Sequence, residues 1–320
     1  MEKIRFGIIG CAGIARKNFL PAMKSCACAE PIAVASLLFE EAEECATQFG
    51  CEAMKNYEAL LSRDDINAVY IATPNALHAD LAVAAARAGH HVLCEKPLAV
   101  NIEETRRILD ACDKNNVALL EGLAYRFHSQ HATLRALIEE GRIGEPILLQ
   151  AWFGFPPLND TNFRYSPELG GGAILDAGAY TIHIARSFFG REPITVHACL
   201  DKSDKQVEIH GSALLDFGQG QTAQLAFGFN NMYRNSYAIW GTEGLVTLTR
   251  AFSIPATFAP TLVLERQSCR EERVLEPFDQ FAGEINSFCD GLRDAATRKM
   301  WRDDAMRQSE ALKALNESTM

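Results

Sequence analysis

The first part of the chain, up to about residue 120, alternates between short apolar runs and longer stretches with helical spacing. Each short run is continuously apolar, which is typical of parallel strands, because helices cover both faces of such a sheet. The predicted strands are Ile4–Ile9, Ile32–Ala35, Ala68–Ala72, His91–Cys94 and Val117–Leu120. The predicted helices between them are Ile14–Lys24, Glu40–Gln48, Leu77–Arg87 and Glu103–Lys114. This alternation indicates βαβ units and predicts a doubly wound parallel sheet of the α/β class.

Beyond residue 122 the pattern changes to strands that alternate in polarity, with no helices between them. These strands are Pro146–Phe153, Ile194–Leu200, Val207–Phe217, Gln221–Phe229, Ser236–Trp240 and Leu245–Thr249. Gly218-Gln219-Gly220 is predicted to be a hairpin turn. Apolar positions at Phe281, Ile285, Phe288 and Leu292 predict a helix, and a last helix is predicted over 304–316. We therefore expect an α+β domain with a large open, mostly antiparallel sheet.

The length divides naturally between two domains, because 320 residues exceed what one hydrophobic core usually serves. We place the boundary so that residues 1–121 form a dinucleotide-binding domain and 122–320 a substrate-binding and oligomerisation domain. The last helix is free to pack back on the first domain. An open sheet with one uncovered face exposes apolar surface, so we expect a homodimer or a higher homo-oligomer.

Composition and charge exclude several classes of protein. The chain is 48% hydrophobic and 22% charged, which is ordinary for a globular protein, and it contains no apolar run long enough for a membrane span. The net charge of −10 and the lack of a basic stripe argue against a nucleic-acid partner. The N-terminus enters a strand without a signal sequence, so we expect a cytoplasmic protein.

The ten cysteines are expected to be reduced, buried thiols, because the predicted location is reducing. Cys26-Ala27-Cys28 and the group of His90, His91 and Cys94 are the alternatives for a metal site. Neither has the paired Cys-x₂-Cys spacing of a zinc site. We therefore predict no metal.

The turn after the first strand resembles a dinucleotide-binding turn. Gly10-Cys11-Ala12-Gly13-Ile14-Ala15 fits the pattern G-x-G-x-x-G/A except at Ala12, where the pattern has its second glycine. In such a turn the amides of a helix N-terminus bind the pyrophosphate. The alternative is plain turn chemistry, because many turns after a first strand contain glycine.

The residue after the second strand bears on the choice of cofactor. An NAD site usually has an acidic residue there, and an NADP site often has an arginine. This chain has Ser36, followed by Leu37, whereas Glu30 lies at the opposite end of the strand. Because a serine hydroxyl and the nearby backbone amides can bind a phosphate, we predict that NADP(H) is favoured, with NAD(H) as the alternative.

The fourth and fifth predicted strands both end in polar segments. Thr73-Pro74-Asn75, with His78 nearby, follows the fourth strand, and Glu95-Lys96-Pro97 ends the fifth. Ligands of doubly wound sheets bind at the carboxyl ends of the strands, so both segments are predicted to reach the cofactor. The alternative for Glu95 and Lys96 is a surface ion pair.

The second half contains one unusual segment, in which three glycines precede a predicted helix. Because glycine has no side chain, we expect the backbone to approach another group closely there. Asp176, Tyr180 and His183 follow the glycines at a spacing that places them on one helical face. A carboxylate, a phenol and an imidazole together favour proton handling over a solvated stripe. Arg164 is a candidate clamp for substrate or cofactor, or a surface arginine, and Arg126 lies in a segment that could line a crevice.

Taken together, GIIGCAGIA, IATPNALH, CEKP and GGGAILDAGAYTIH resemble the Gfo/Idh/MocA oxidoreductase family. The resemblance covers essentially the whole chain and implies an N-terminal Rossmann domain followed by an open-sheet domain. It also implies that Lys96 is catalytic. Many members have histidine where this chain has Tyr180, and tyrosine there resembles the branch of dihydrodiol dehydrogenases, sugar dehydrogenases and glucose–fructose oxidoreductase. Ala12 and Leu37 depart from the family pattern.

The resemblance implies hydride transfer between a nicotinamide and a hydroxyl or carbonyl carbon of a sugar, polyol or dihydrodiol-like substrate. Tyr180 would be the acid/base, assisted by the Lys96 ammonium, and Asp176 would orient substrate or lysine. Substrate contacts are expected from Arg126, Arg164 and His183. The expected cofactor-binding residues are Gly10, Ala12, Gly13, Ile14, Ala15, Ser36, Thr73, Pro74, Asn75, His78, Glu95 and Lys96. The alternatives are a nucleotide-sugar or amino-sugar ketoreductase, and a non-catalytic nicotinamide sensor.

Overall fold

The computed structural model describes residues 2–201 and 206–318. The chain divides into two compact units. One contains the residues up to Ala124 together with Phe281–Ser309, and the other contains Tyr125–Gln280 and the residues after Ser309. The predicted domains, 1–121 and 122–320, stay a prediction about independent folding.

The first unit is built on a six-stranded parallel sheet in the order β3-β2-β1-β4-β5-β6. Its strands are β1 (Ile4–Ile9), β2 (Ala29–Ala35), β3 (Glu52–Met54), β4 (Ala68–Ile71), β5 (His91–Glu95) and β6 (Leu119–Gly122). Its helices up to Ala124 are α1 (Leu20–Ser25), α2 (Phe39–Phe49), α3 (Tyr57–Leu61), α4 (His78–Arg87) and α5 (Ile102–Lys114). The strand order reverses between β1 and β4, which is where such sheets open a ligand crevice.

The predicted doubly wound sheet is confirmed, with small differences at the edges. The first helix is preceded by a π-helical turn at Ala15–Phe19, so α1 itself is short. β3 and α3 were not predicted, because a strand of three residues and a helix of five are too short to show a period.

The second unit contains an eight-stranded sheet in the order β14-β13-β12-β11-β7-β10-β9-β8. Its strands are β7 (Pro146–Gly154), β8 (Thr195–Asp201), β9 (His210–Asp216), β10 (Thr222–Gly228), β11 (Arg234–Gly241), β12 (Gly244–Leu248), β13 (Thr261–Arg266) and β14 (Cys269–Val274). All neighbours are antiparallel except β7 and β10, which pair in parallel. The predicted open, mostly antiparallel sheet and the hairpin at Gly218-Gln219-Gly220 are confirmed.

The helix α6 (Ser129–Glu139) corrects the expectation that strands follow residue 122 directly. The helix predicted after the three glycines is present as α7 (Ala179–Phe189), which begins after a π-helical turn at Ile174–Gly178. α7 packs against β7 and β10 and covers one face of the sheet. Alternate residues of β9 are buried and exposed, so the other face of this strand is open.

Two further helices follow the sheet, namely α8 (Gln280–Gly291) and α9 (Ala295–Glu317). α9 begins well before the predicted start at residue 304. Its N-terminal half is rich in charged residues, as in Arg298, Lys299 and Arg302, which hid its apolar positions. Trp301, on the same half, is buried against Phe288 of α8, with ring centroids 5.9 Å apart.

Candidate active site

The turn between β1 and α1 joins the ends of three strands. The Gly10 amide donates to the Ala35 carbonyl at 2.8 Å, and Gly10 has a φ of +95°. A Cβ at this position would lie 2.4 Å from the Ala72 carbonyl oxygen, so only glycine allows this approach. A Cβ at Gly13, in contrast, would meet nothing within 4 Å. The strand ends thus meet tightly while the helix start stays open.

The open side of this turn fits a bound pyrophosphate. The Arg16 amide donates to the Ala12 carbonyl as the helix begins, so the amides before it have no partner within the helix. Amides at a helix N-terminus favour anions. Thr73, after β4, adds a buried hydroxyl with no hydrogen-bond partner among the described residues. The predicted residues Gly10, Gly13 and Thr73 therefore fit a dinucleotide.

His78 connects the two polar segments that follow β4 and β5. Its Nδ1 lies 2.8 Å from the Pro97 carbonyl oxygen, and its Nε2 lies 3.0 Å from the Thr73 carbonyl oxygen. The side chain is completely buried, and burial lowers its pKa. Pro74 precedes a short 3₁₀ turn in which Asn75 is buried. His78 therefore holds both loops in one arrangement.

Lys96 lies in a turn that buried carboxylates fix on either side. Glu95 accepts a hydrogen bond from the Tyr70 hydroxyl at 2.6 Å, and Glu121 accepts one from the Leu98 amide at 2.9 Å. The ring of Tyr70 stacks on Phe19, and burial, followed by Glu95, raises the Tyr70 pKa well above its ordinary value. The Lys96–Pro97 bond is cis. This environment orients the backbone that carries Lys96.

In the second unit, the glycine run packs against its own chain. The Gly171 amide donates to the Ser166 carbonyl and the Gly172 amide to the Arg164 carbonyl, both at 2.9 Å. A Cβ at Gly171 would lie 2.4 Å from the Arg164 carbonyl oxygen, and one at Gly172 would meet the Glu208 carboxylate. The close approach expected from these glycines is therefore made by the 164–166 loop and Glu208.

Asp176 binds the arginine that this loop presents. Arg164 Nε is 2.6 Å from Asp176 Oδ2, and the guanidinium lies over the ring of Phe163 at 4.8 Å. The Asp176 side chain is only 10% exposed and that of Arg164 is 28% exposed. Arg164 is thus a partner of Asp176 rather than a purely surface residue. The two opposite charges of the pair therefore balance each other.

Tyr180 lies at the start of α7 within a group of aromatic rings. Its ring centroid is 5.0 Å from Phe153, 5.8 Å from Tyr125 and 5.8 Å from Phe252. Edge-on and tilted aromatic contacts at these distances are favourable and restrict the ring. The phenol therefore projects from a fixed side chain, which is what a positioned acid or base requires.

His183, one turn after Tyr180 on α7, is held by Tyr125. The Tyr125 hydroxyl oxygen lies 2.5 Å from His183 Nδ1, and both side chains are buried. His131 also contacts the Tyr125 ring, but burial lowers its pKa to about 3. Burial lowers the pKa of His128 to about 4. His128 and His131 are therefore neutral at physiological pH and form part of the packing.

The predicted residues of the second unit are only partly brought together. Tyr180 and His183 share the Tyr125 contact on α7, whereas Asp176 lies in a π-helical turn, Ile174–Gly178, and contacts Arg164. The α-helical spacing predicted for all three holds only from Ala179 onward. Arg126 lies in a 3₁₀ turn, half-buried over the ring of Phe127 at 5.3 Å.

Several side chains that support these candidates were not predicted from the sequence, namely Tyr70, Glu121, Phe153, Glu208 and Phe252. Two of them, Tyr70 and Glu121, stand out in the sequence of their strands. Tyr70 is the one polar-tipped residue in the strand AVYI, and Glu121 follows an apolar run at a strand end. The other three are distant in sequence from the site residues, and only folding brings them into contact.

The cysteines are all free thiols, but not all are buried. Cys199 and Cys269 are exposed on β8 and β14, so the prediction of buried thiols is wrong for these two. Cys11, Cys28 and Cys51 are half-buried. Within residues 2–201 and 206–318, no group of three or more histidine, cysteine or acidic side chains could hold a metal ion.

Comparison with known proteins agrees with this arrangement. The family described as an oxidoreductase family with an NAD-binding Rossmann fold matches residues 4–123, and the GFO/IDH/MocA C-terminal domain matches 131–247. The chain belongs to the Gfo/Idh/MocA oxidoreductase family. It is an enzyme of this family that acts on hydroxyl or keto carbons of sugar-type compounds, so the predicted family, fold and reaction class are confirmed.

Individual relatives cover nearly the whole chain. A dTDP-3,4-didehydro-2,6-dideoxy-α-D-glucose 3-reductase of Actinomadura kijaniata is 38% identical over 98% of this chain and 94% of its own. A D-xylose 1-dehydrogenase (NADP⁺) of Haloferax volcanii is 32% identical over 98% and 96%. The structure is similar to that of a 3-ketoreductase variant from A. kijaniata in complex with TDP-benzene and NADP. That comparison has a TM-score of 0.95 and 37% identity, and covers 99% of this chain and 98% of that one.

Among the described residues, no helix is long and apolar enough to cross a membrane.

Proposed function

We propose that this oxidoreductase reduces a ring ketone of a deoxysugar carried on a deoxynucleoside diphosphate, with NADPH as hydride donor. The observation that carries the proposal is the 38% identity, over 98% of the chain, to a reductase named for such a substrate. The similarity to a 3-ketoreductase structure that holds TDP-benzene and NADP supports it. A nucleotide-sugar ketoreductase was an alternative that the sequence left open.

The preference for NADP(H) over NAD(H) is confirmed at the level of the relatives, which are named for NADP⁺ or hold NADP. When bound, this cofactor supplies the hydride. The dinucleotide turn at Gly10–Ala15 would hold its pyrophosphate on open amides, and the hydroxyl of Thr73 would gain a partner. Ser36 would lie by the adenosine ribose, because it directly follows β2.

The chain's own residues would handle the proton. In our proposal the Tyr180 hydroxyl donates its proton to the carbonyl oxygen of the sugar as the carbon becomes a secondary alcohol. The Lys96 ammonium donates a hydrogen bond to the same oxygen and stabilises its developing negative charge. Asp176 keeps Arg164 oriented, and Arg164 and Arg126 are the candidate contacts for the substrate's phosphates. His183 acts with Tyr125 to hold this side of the site.

The substrate proposal is tested by supplying dTDP-3,4-didehydro-2,6-dideoxy-D-glucose with NADPH. We expect one NADPH to be consumed per sugar, and the gain of two hydrogen atoms, as one of its two ketones becomes a hydroxyl, to be visible by mass spectrometry. Free D-xylose with NADP⁺ is the comparison, because a xylose dehydrogenase is also similar to this chain. A higher kcat/KM for xylose, with no reduction of the nucleotide sugar, would replace the proposal by that second function.

We also propose that the chain forms a homodimer through the open face of the second-unit sheet. Leu214 on β9 and Trp240 on β11 are 47% and 52% exposed, and Trp152 lies on β7 between them in strand order. Large apolar side chains along one open sheet face are typical of a surface that binds a second copy. An interface of this kind commonly buries roughly 1,200–2,000 Å² in total.

The assembly prediction is that Trp240→Glu combined with Leu214→Glu converts a dimer to a monomer. Sedimentation velocity of both proteins measures this directly, with Met300→Glu, at an exposed apolar residue on α9 outside this sheet, as the matched control. A wild-type protein that sediments as a 35.3 kDa monomer at micromolar concentration would refute the dimer.

A cytoplasmic location belongs to the same proposal. Ten free thiols, two of them exposed, fit a reducing compartment better than an oxidising one. The reduction of a nucleotide-activated sugar by NADPH fits the same compartment.

A further inference from the structure

The end of β2 contains a polar contact that the proposed function does not use. Ser36 follows the strand, is buried, and its hydroxyl donates to Glu41 Oε2 at 2.7 Å. Glu41 lies in the first turn of α2. In doubly wound sheets the adenosine ribose binds at this strand end. Ser36 therefore holds a carboxylate where the ribose of a bound dinucleotide would lie.

The Glu41 carboxylate lies within electrostatic range of the dinucleotide turn. Cys11 follows Gly10 in this turn. A hydrogen bond with Cys45, burial and the charge of Cys45 are the larger causes that raise the pKa of the Cys11 thiol, and the negative charge of Glu41 helps to raise it. Burial and the charge of Cys11 are the larger causes that raise the pKa of Tyr57, and the Glu41 charge also raises it. Two groups on different elements thus lie within range of this one carboxylate. Glu41 accordingly lies near the dinucleotide turn.

The surroundings offer the carboxylate no compensating cation on its own segment. Residues 36–44, SLLFEEAEE, contain four glutamates and neither lysine nor arginine. Leu37 and Leu38 are 74% and 59% exposed where an arginine would bind a 2′-phosphate. Arg16 pairs with Glu44, with Nη1 and Oε2 3.4 Å apart. A 2′-phosphate would bring a charge of about −1.5 to −2 to this acidic surface.

We propose that Glu41 determines how far this enzyme prefers NADPH over NADH. Its carboxylate, oriented by Ser36, repels the 2′-phosphate of NADPH and accepts a hydrogen bond from the 2′-hydroxyl of NADH. The inference rests on the proposed nicotinamide cofactor and concerns its selectivity. Ser36, which the sequence analysis treated as the discriminating residue, acts here by positioning Glu41.

The experiment measures dissociation constants of NADPH and NADH by quenching of protein fluorescence, without substrate. Removing a negative charge close to a phosphate is worth about tenfold in affinity. Glu41→Gln is therefore expected to bind NADPH about tenfold more tightly than wild type and NADH less tightly, and Glu41→Lys to extend the gain for NADPH. Ser36→Asp adds a carboxylate and is expected to move the ratio towards NADH.

Glu43→Gln is the matched control, because it removes the same charge from an exposed position on the same helix. It should leave the ratio of the two constants unchanged. An unchanged ratio in Glu41→Gln, or an equal change in Glu43→Gln, overturns the inference. A shifted ratio in an enzyme that reduces no nucleotide sugar supports Glu41 and counts against the proposed substrate alone.

Discussion

Tyr180→Phe is expected to lower turnover by about 10²- to 10⁴-fold, the usual worth of a positioned acid or base. Phenylalanine keeps the ring that packs between Tyr125, Phe153 and Phe252, so only the hydroxyl is lost. NADPH binding and the melting temperature should therefore stay at wild-type values. Steady-state kinetics with the nucleotide sugar, together with fluorescence titration of NADPH, measure the two effects separately.

Lys96→Ala is expected to reduce turnover at least as much, because it removes the cation that, in our proposal, stabilises the developing charge on oxygen. Glu95 and Glu121 keep the backbone of the turn in place through Tyr70 and Leu98, so the loss should fall on kcat. Lys114→Ala on α5 and Tyr233→Phe near the surface are the controls, since each makes the same change outside the site. Wild-type turnover in both Tyr180→Phe and Lys96→Ala would remove these roles and revive the sensor hypothesis.

The first unit was predictable because its strands are buried on both faces. Runs such as Ile4–Ile9 and the strand that ends at Ala35 show their type without knowledge of their neighbours. The position of Ser36 directly after β2 followed from the same pattern. The partner of Ser36 did not, because no rule of spacing reveals that the serine hydroxyl points back at Glu41.

The second unit was harder to predict at its edge and in its pairing. β14, CREERV, alternates only between exposed and half-exposed residues, since an edge strand tolerates charges that a central strand does not. The parallel pairing of β7 with β10 joins strands that are far apart in the chain. Such non-local pairing depends on the whole sheet, and local sequence cannot specify it.

The candidate site shows the same limit at the level of side chains. Tyr180 and Lys96 were identified from motifs that are continuous in the sequence. Phe153 and Phe252, which restrict the Tyr180 ring, come from β7 and from the segment after β12. The glycine run predicted a close approach correctly, but only the fold shows that the approaching group is the carbonyl of Arg164.

Gly171→Ala is expected to destabilise the second unit by about 1–3 kcal/mol and to impair turnover as well. The new methyl carbon would lie 2.4 Å from the Arg164 carbonyl oxygen and 2.8 Å from that of Ser166, and backbone atoms cannot move aside as a flexible side chain can. Relief requires the 164–166 loop to shift. That shift pulls Arg164, the proposed contact for the substrate's phosphates, away from Asp176.

Thermal unfolding and kinetics of the same variant test both parts of this prediction. The melting temperature should fall by several degrees, because 1 kcal/mol corresponds to about 2–4 °C in domains of this size. Gly13→Ala makes the identical change where a Cβ meets nothing within 4 Å, so its melting temperature should not fall. Arg164→Ala removes the ion pair without the clash and should impair turnover with a smaller loss of stability. If Gly171→Ala melts like wild type, the loop accommodates the methyl group and the glycine is not needed to hold Arg164 against Asp176.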